Sequence, residues 1–310
     1  MKQALSFDDV LVVPQKSDIS TRSQVDIGQS LRKMPKISLP IISSPMDTVT
    51  GEKMACAVSK AGGLGVLHRY NNTQEQCEMV RSITSDSNFV GAAIGVGEDF
   101  LERAKNLAHA GATFLCIDVA HGHHSSVEGA LKSLREYFQD SMHIMAGNVA
   151  TLEAFNDLAD WGADSIRVGI GGGSICSTRI QTGHGIPTFQ SILDCALSDR
   201  DAALIADGGI RNSGDIVKAL AAGADFVMVG SLLAGTDETP GEILNTKGGK
   251  KKVYRGMASK EAQSDWRGKV SSIEGVTHVV PYRGPVEEVL YELGVGIRSG
   301  LSYSGATSIP

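Results

Sequence analysis

"HIMAGNVATLEAFNDLADWGADSIRVGIG", residues 143–171, holds one structural unit and the start of the next. "HIMAGNVA" (143–150) is a short apolar run with the look of a buried strand. "TLEAFNDLADWGA" (151–163) changes to an amphipathic, helical pattern. The glycine in "DWGADS" stands where a helix stops before a short loop, and "SIRVGIG" (165–171) is a second strand. Strand, helix and strand at this spacing make a βαβ unit with parallel strands.

The unit recurs from about residue 38 onward. "LPIISSP" (39–45), "LGVLH" (64–68), "FVGAAIG" (89–95), "FLCIDVAHG" (114–122), "ALIADGG" (203–209) and "DFVMVGS" (225–231) bring the apolar runs to eight. In "FLERAKNLAHA", Phe100, Leu101, Ala104, Leu107 and Ala108 recur at helical spacing. "KAGGLG", "HAGATF" and "AAGADF" repeat the glycine stop. Eight units with continuous apolar strands predict an α/β fold, a closed (β/α)8 TIM barrel rather than an open doubly wound sheet. Residues 1–310 read as one barrel domain. The charged, glycine-rich stretch 240–283 breaks the rhythm, which is the pattern of a lid or a disordered linker; a mobile lid is placed at about 243–283. Helical spacing returns in "PVEEVLYELGVGIRSGLSYSGA" (285–306).

Composition narrows the function. With 42% hydrophobic and 21% charged residues over 310, the chain is an ordinary soluble globular protein with a large core. Thirty-six glycines imply many tight turns and close backbone approaches. A net charge of −6 without a long basic run argues against a nucleic-acid partner. No apolar stretch reaches about 18 residues, so no membrane span is expected. The N-terminus "MKQALSFDDVLVVP" lacks a secretory apolar region. The five cysteines are odd in number, scattered and without a CxxC. Free thiols in a reducing cytoplasm are the expectation.

A barrel of this class places its active site at the C-terminal ends of its strands. Three glycine-rich loops meet there. "GGGS" offers backbone N–H groups and the Ser174 hydroxyl; "ADGGI" adds Gly208 and Gly209; "VGSLLAG" adds Gly230 and Ser231. Such loops bind phosphate, although glycines also simply permit tight turns. Asp207, between them, suits the two hydroxyls of a ribose or the N-cap of the next helix. Cys176 is the cysteine that lies in a glycine-rich rim loop, where a thiolate could attack an electrophilic carbon of a heterocycle. Cys56, Cys77, Cys116 and Cys195 lie in helical or apolar runs and read as packing residues. "HGHH" (121–124) is too tightly spaced for one tetrahedral zinc, and "KGGKKK" reads as a solvated loop.

Taken together these segments resemble the IMP dehydrogenase/GMP reductase family. "LSFDDVLVVP", "SSPMDTVT", "GGLGVLHR", "CIDVAHGH", "MAGNVAT", "VGIGGGSICSTR", "ADGGI", "VGSLLAGTDETPGE", "YRGMAS", "EGV" and "GIRSG" occur in the family's order through nearly the whole chain. The resemblance implies a purine mononucleotide, GMP or IMP, held by Ser174, Gly208, Gly209, Gly230, Ser231 and Tyr254, with its ribose on Asp207. The base would lie over Met46 and Met257, flanked by Gly256 and Ala258, with its edge read by Glu274. Cys176 would form a covalent adduct at purine C2. The nicotinamide cofactor would sit near Asp118, Asn148 and Gly169. A potassium ion would be held by the main-chain carbonyls of Gly171, Gly173 and Cys176. The assembly implied is a homotetramer.

Both reactions of the family pass through a thioimidate, so the fold does not choose between them. Only about 20 residues separate strands two and three, where most family dehydrogenases carry an inserted pair of regulatory domains. Dehydrogenases resemble one another in an Arg-Tyr pair on a mobile flap that activates water; here Arg267 is followed by Gly268. Reductases are similar in a Thr-Glu pair that serves ammonia departure, and Thr178 and Glu274 stand at those positions. "GSLLAGT" and "VAHGH" look dehydrogenase-like, Arg69 replaces a lysine usual in both, and Glu274 also occurs in bacterial dehydrogenases. The expected activity is NADPH-dependent GMP reductase; the alternatives are NAD-dependent IMP dehydrogenase and a non-catalytic nucleotide-binding barrel.

Overall fold

The computed structural model describes residues 3–86 and 89–309. Each of the eight apolar runs contains one strand: β1 (Ile41–Ser43), β2 (Leu64–Leu67), β3 (Val90–Ile94), β4 (Phe114–Asp118), β5 (His143–Val149), β6 (Ser165–Val168), β7 (Ala203–Asp207) and β8 (Phe226–Val229). They pair in chain order, all parallel, and β8 closes on β1 with Val229 opposite Ser43. Helices α1 (Glu52–Lys60), α2 (Thr73–Thr84), α3 (Phe100–Ala110), α4 (Ser125–Phe138), α5 (Leu152–Asp160), α6 (Thr178–Thr182), α7 (Thr188–Cys195) and α8 (Ser213–Ala221) lie between them. The expected (β/α)8 barrel is the fold. The glycine stops behave as read: Gly62, Gly111, Gly162 and Gly223 take φ of 86°, 106°, 110° and 108°, where a side chain is disfavoured.

Alternation along the strands builds two cores. Inside the barrel, Ile42, Val66, Ala93, Cys116, Met145, Ile205 and Met228 pack together, closed at the strands' N-terminal end by Leu31 and Ile37. Outside, Ile41, Leu67, Ala92, Leu115, Ile144, Leu204 and Val227 meet the helices. In β6, Ile166 and Val168 belong to the outer layer. Arg167 therefore points inward, toward the barrel axis.

The barrel also buries an imidazole. His143 Nδ1 lies 2.8 Å from the Arg32 carbonyl, which only accepts, so Nδ1 carries the proton. Nε2 then accepts from Ser165 Oγ at 2.8 Å. Burial pushes the His143 and His68 imidazoles below their ordinary 6.5. Below about pH 6.5 the unfolded chain takes up these protons and the folded chain resists them. The stabilisation is thus present above that pH and drains away as the pH falls, by up to about 1.4 kcal/mol per unit for each histidine. Thermal midpoints should drop between about pH 7.5 and 5.5. A His143→Asn variant should drop less over the same interval; an equal drop would remove His143 as a cause.

The 240–283 stretch is more ordered than its composition suggests. Strands β9 (Leu244–Thr246), β10 (Gly249–Arg255) and β11 (Thr277–Pro281) form an antiparallel sheet, with helix α9 (Lys260–Arg267) inserted between β10 and β11. Its strand pattern is disguised because lysine occupies an inward position. Lys252, expected in a solvated loop, is buried with Tyr254 on the alternating face of β10. Its ammonium donates to the carbonyls of Thr236 (3.1 Å), Asp237 (3.4 Å) and Thr239 (2.5 Å), which offsets the cost of burying it. Helix α10 (Val286–Tyr303) then packs against α8 and α1. Among the described residues no helix is long and apolar enough to cross a membrane.

Candidate active site

A cavity of about 420 Å³ opens at the C-terminal ends of the strands, roofed by the lid. Ser174, Gly208, Gly209, Gly230 and Ser231 line it, as do Asp118, Asn148, Gly169, Cys176, Thr178, Asp207 and Glu274. From the loop after β1 comes Met46; the lid adds Tyr254, Gly256, Met257 and Ala258. The residues singled out in sequence thus meet in one place.

The loop after β6 turns sharply at Gly169, whose φ is 147°. A Cβ there would lie 1.9 Å from the Asp207 carbonyl oxygen, so only glycine lets β6 and β7 diverge this closely. Past the glycines, Ile175 is buried and Cys176 faces the cavity. Cys176 Sγ lies 3.2 Å from Thr178 Oγ1, at the start of α6. The lid is laced to this loop. Val276 N donates to Ile175 O at 3.1 Å, Ser177 N to Glu274 O at 2.9 Å, and Cys176 bridges Gly275. The main chain of Glu274 is thereby fixed at the rim of the same cavity, and its carboxylate accepts from Ser272 Oγ at 3.0 Å.

Three of the other thiols are poor nucleophiles. Burial pushes Cys116 and Cys195 up to about 12, and also raises Cys77, so these stay protonated near neutral pH. Tyr254 is likewise held by burial at about 12, which keeps its phenol a neutral hydrogen-bond donor.

Asp207 ends β7 and does not cap the next helix. Asn212 does so, accepting from Asp215 N at 2.9 Å. Asp207 Oδ2 instead accepts from Asn148 Nδ2 (2.9 Å) and from Arg167 Nε (3.0 Å) and Nη2 (2.8 Å). Among the described residues no hydrogen bond is made to the second oxygen, Oδ1, and Asp207 lines the cavity. Arg167 Nη1 donates to Asp118 Oδ1 at 2.6 Å, so one guanidinium holds two carboxylates. Burial opposes its charge, but Asp207 and Asp118 outweigh burial and push it further above its ordinary value. Arg167 was not singled out from sequence; a cation inside an otherwise apolar strand was the available signal.

Other rim residues serve elsewhere. His123 pairs with Asp157 at 2.7 Å, and the His124 ring accepts from Ser126 N at the start of α4. Asp47 holds the lid down: it accepts from Arg255 Nε (3.0 Å) and Nη2 (2.5 Å) and from Trp266 Nε1 (2.7 Å). Its side chain is 4% exposed. Removing it strands a mostly buried guanidinium that keeps only Asp265. Asp47→Ala should cost about 3 kcal/mol, the lower end for a broken buried pair. Against a Trp161→Phe background, Trp266 emission should move to the red; unmoved emission would show that Asp47 does not seat the lid.

Residues 4–310 match a family model described as "IMP dehydrogenase / GMP reductase domain". The inosine-5′-monophosphate dehydrogenase of Nitrosopumilus maritimus (strain SCM1) is 34% identical over 447 aligned residues, covering 100% of this chain and 94% of the relative. A GMP reductase from Leishmania major is 30% identical over 455, covering 100% and 92%. Among solved structures, a cysteine-to-alanine variant of GMP reductase from Trypanosoma brucei, in complex with guanosine 5′-monophosphate, matches with a TM-score of 0.94 and 30% identity. That match covers 100% of this chain and 93% of the other.

Proposed function

This chain belongs to the IMP dehydrogenase/GMP reductase family, oxidoreductases of purine metabolism that use NAD(P), and from that premise we propose that it is an NADPH-dependent GMP reductase. The observation that carries the reading is the grouping of Cys176, Thr178 and Glu274 in one cavity, with Cys176 3.2 Å from Thr178 and the lid free of an Arg-Tyr pair.

In this reading the phosphate of GMP sits on the loop at Ser174 and the N–H groups of Gly209, Gly230 and Ser231. Tyr254 donates to it. The ribose hydroxyls take the free oxygen of Asp207, and Met46 and Met257 hold the purine. The Cys176 thiolate attacks C2. Glu274, with Thr178, delivers a proton to the departing amino group, which leaves as ammonia. The product of this step is a thioimidate on Cys176. Asp118, Asn148 and Gly169 would hold a nicotinamide cofactor, which when bound would supply the hydride for C2. Cys176 is then released as thiolate, and IMP departs. Asn148 Nδ2 spends its two hydrogens on the Gly169 carbonyl (2.8 Å) and Asp207 Oδ2 (2.9 Å), which fixes that wall and leaves Asn148 Oδ1 to accept from a carboxamide N–H. The carbonyls of Gly171, Gly173 and Cys176 would hold potassium. Gly173 O accepts from Cys176 N at 3.1 Å and keeps a second lone pair for a cation. A homotetramer in the cytoplasm completes the proposal.

The dehydrogenase reading draws support from the higher identity, 34%, to a relative of that name. Chain length does not separate the two. Alignments to both classes, 447 and 455 positions, run well beyond this chain's 310 residues. A paired assay decides. GMP with NADPH should oxidise the cofactor and release ammonia, with IMP as product. Reduction of NAD with XMP formed from IMP, and no turnover of GMP, would overturn the reductase.

A further inference from the structure

From the second half of α9 to the residue before Glu274 the lid is exposed, Ser264 to Ile273. An exposed segment gains little from burial, so its position rests on hydrogen bonds. Gln263, the neighbouring residue on α9, is only 2% exposed. Its amide is fully engaged with main chain and one hydroxyl. Nε2 donates to Ala258 O at 3.0 Å and to Ser272 O at 2.8 Å. Oε1 accepts from Ser271 N at 2.9 Å and Ser271 Oγ at 3.0 Å. One end of this buried amide is spent on Ser272 and the turn at Ala258, and the other on Ser271.

Those contacts bear on the Glu274 carboxylate, which lines the same cavity as the Cys176 thiol. The main chain of Glu274 is pinned independently, its N–H on Ala258 O at 3.1 Å and its carbonyl on Ser177 N at 2.9 Å. The direction of its side chain is not. That is set by Ser272 Oγ, 3.0 Å from Glu274 Oε1, and Gln263 holds Ser272. The geometry points to Gln263 as a positioning residue that aims the Glu274 carboxylate through Ser272. The role assigned to that carboxylate rests on the reductase reading above; the clamp itself does not.

Gln263→Met keeps length and volume but removes every one of these bonds. Three readouts test it. Amide exchange of a peptide spanning 268–273 should quicken at least about tenfold, while β5 is unchanged. The kcat for NADPH oxidation with GMP should fall about 10- to 100-fold, the scale of a displaced catalytic group, with KM for GMP within about threefold. Ser272→Ala should repeat the kcat loss without the faster exchange. Unchanged exchange in Gln263→Met would overturn the clamp, and faster exchange in β5 as well would reduce Gln263 to general stability. An unaffected kcat in either variant would overturn the positioning role. The same variants assayed with IMP and NAD separate the questions. If the unmodified protein oxidises IMP and leaves GMP untouched, the reductase reading fails, while exchange still decides the clamp.

Discussion

Cys176→Ala is expected to bind GMP and turn none of it over. The groups proposed to hold the nucleotide belong to other residues: Ser174, the loops at Gly209 and Gly230, Asp207 and Tyr254. The alanine keeps the backbone N–H that donates to Gly173 O at 3.1 Å, so the phosphate loop survives the change. What disappears is the nucleophile, and no second thiol replaces it, because Cys176 is the one cysteine among the residues that line the cavity. Loss of a covalent nucleophile costs at least about a thousandfold in kcat. Binding measured by equilibrium dialysis should stay within about threefold of the unmodified protein, since uniform binding is untouched. Turnover within tenfold of normal would remove Cys176 from the chemistry. Loss of binding together with turnover would make it a structural residue of the loop.

Arg167→Met is expected to damage both stability and nucleotide affinity. The guanidinium is 6% exposed and lies between Asp118 and Asp207, at 2.6 Å and 2.8 Å. Methionine fills similar space but leaves two carboxylates facing each other near the barrel axis without their shared cation. Removing one partner of a buried ionic group costs about 3–5 kcal/mol. Urea unfolding at neutral pH measures this directly. A second expectation separates Arg167 from an ordinary core residue. Asp207 would lose two of its three hydrogen bonds, keeping only Asn148, so ribose recognition should weaken more than the fold does. Under conditions where the variant is folded, affinity for GMP should fall at least about tenfold, while affinity for inorganic phosphate at the glycine loops should not. Equal losses for both ligands would mean that the barrel mouth collapses as a whole. A double change, Arg167→Met with Asp118→Asn, should recover part of the stability by removing one stranded charge.

The barrel was legible because the strands are mostly apolar and four of the helices between them stop at a glycine of positive φ. The catalytic rim followed from the barrel, since strand ends sort residues without other information. The lid was less legible. Its strands are half-exposed, and an inward position of β10 is taken by Lys252, whose ammonium is satisfied by main-chain carbonyls that no sequence pattern displays. Gln263 escaped for the same reason: three of its four bonds go to backbone atoms. Arg167 is different. It stood in plain view in "SIRVGIG", and a charge in a strand that is otherwise apolar demands partners. Strand alternation would have aimed it inward, toward the ends of β4 and β7.

The hydrogen bonds that lace Ile175 and Ser177 to Val276 and Glu274 bear on any attempt to exchange chemistries between relatives. Residues 168–179 and 254–276 are one cassette written in two places. A lid transplanted alone from another family member would arrive without the edge it pairs with. The carbonyl of Ile175 and the N–H of Ser177 would then face the cavity unmatched, on either side of the thiol. A graft that carries both segments keeps the seam intact.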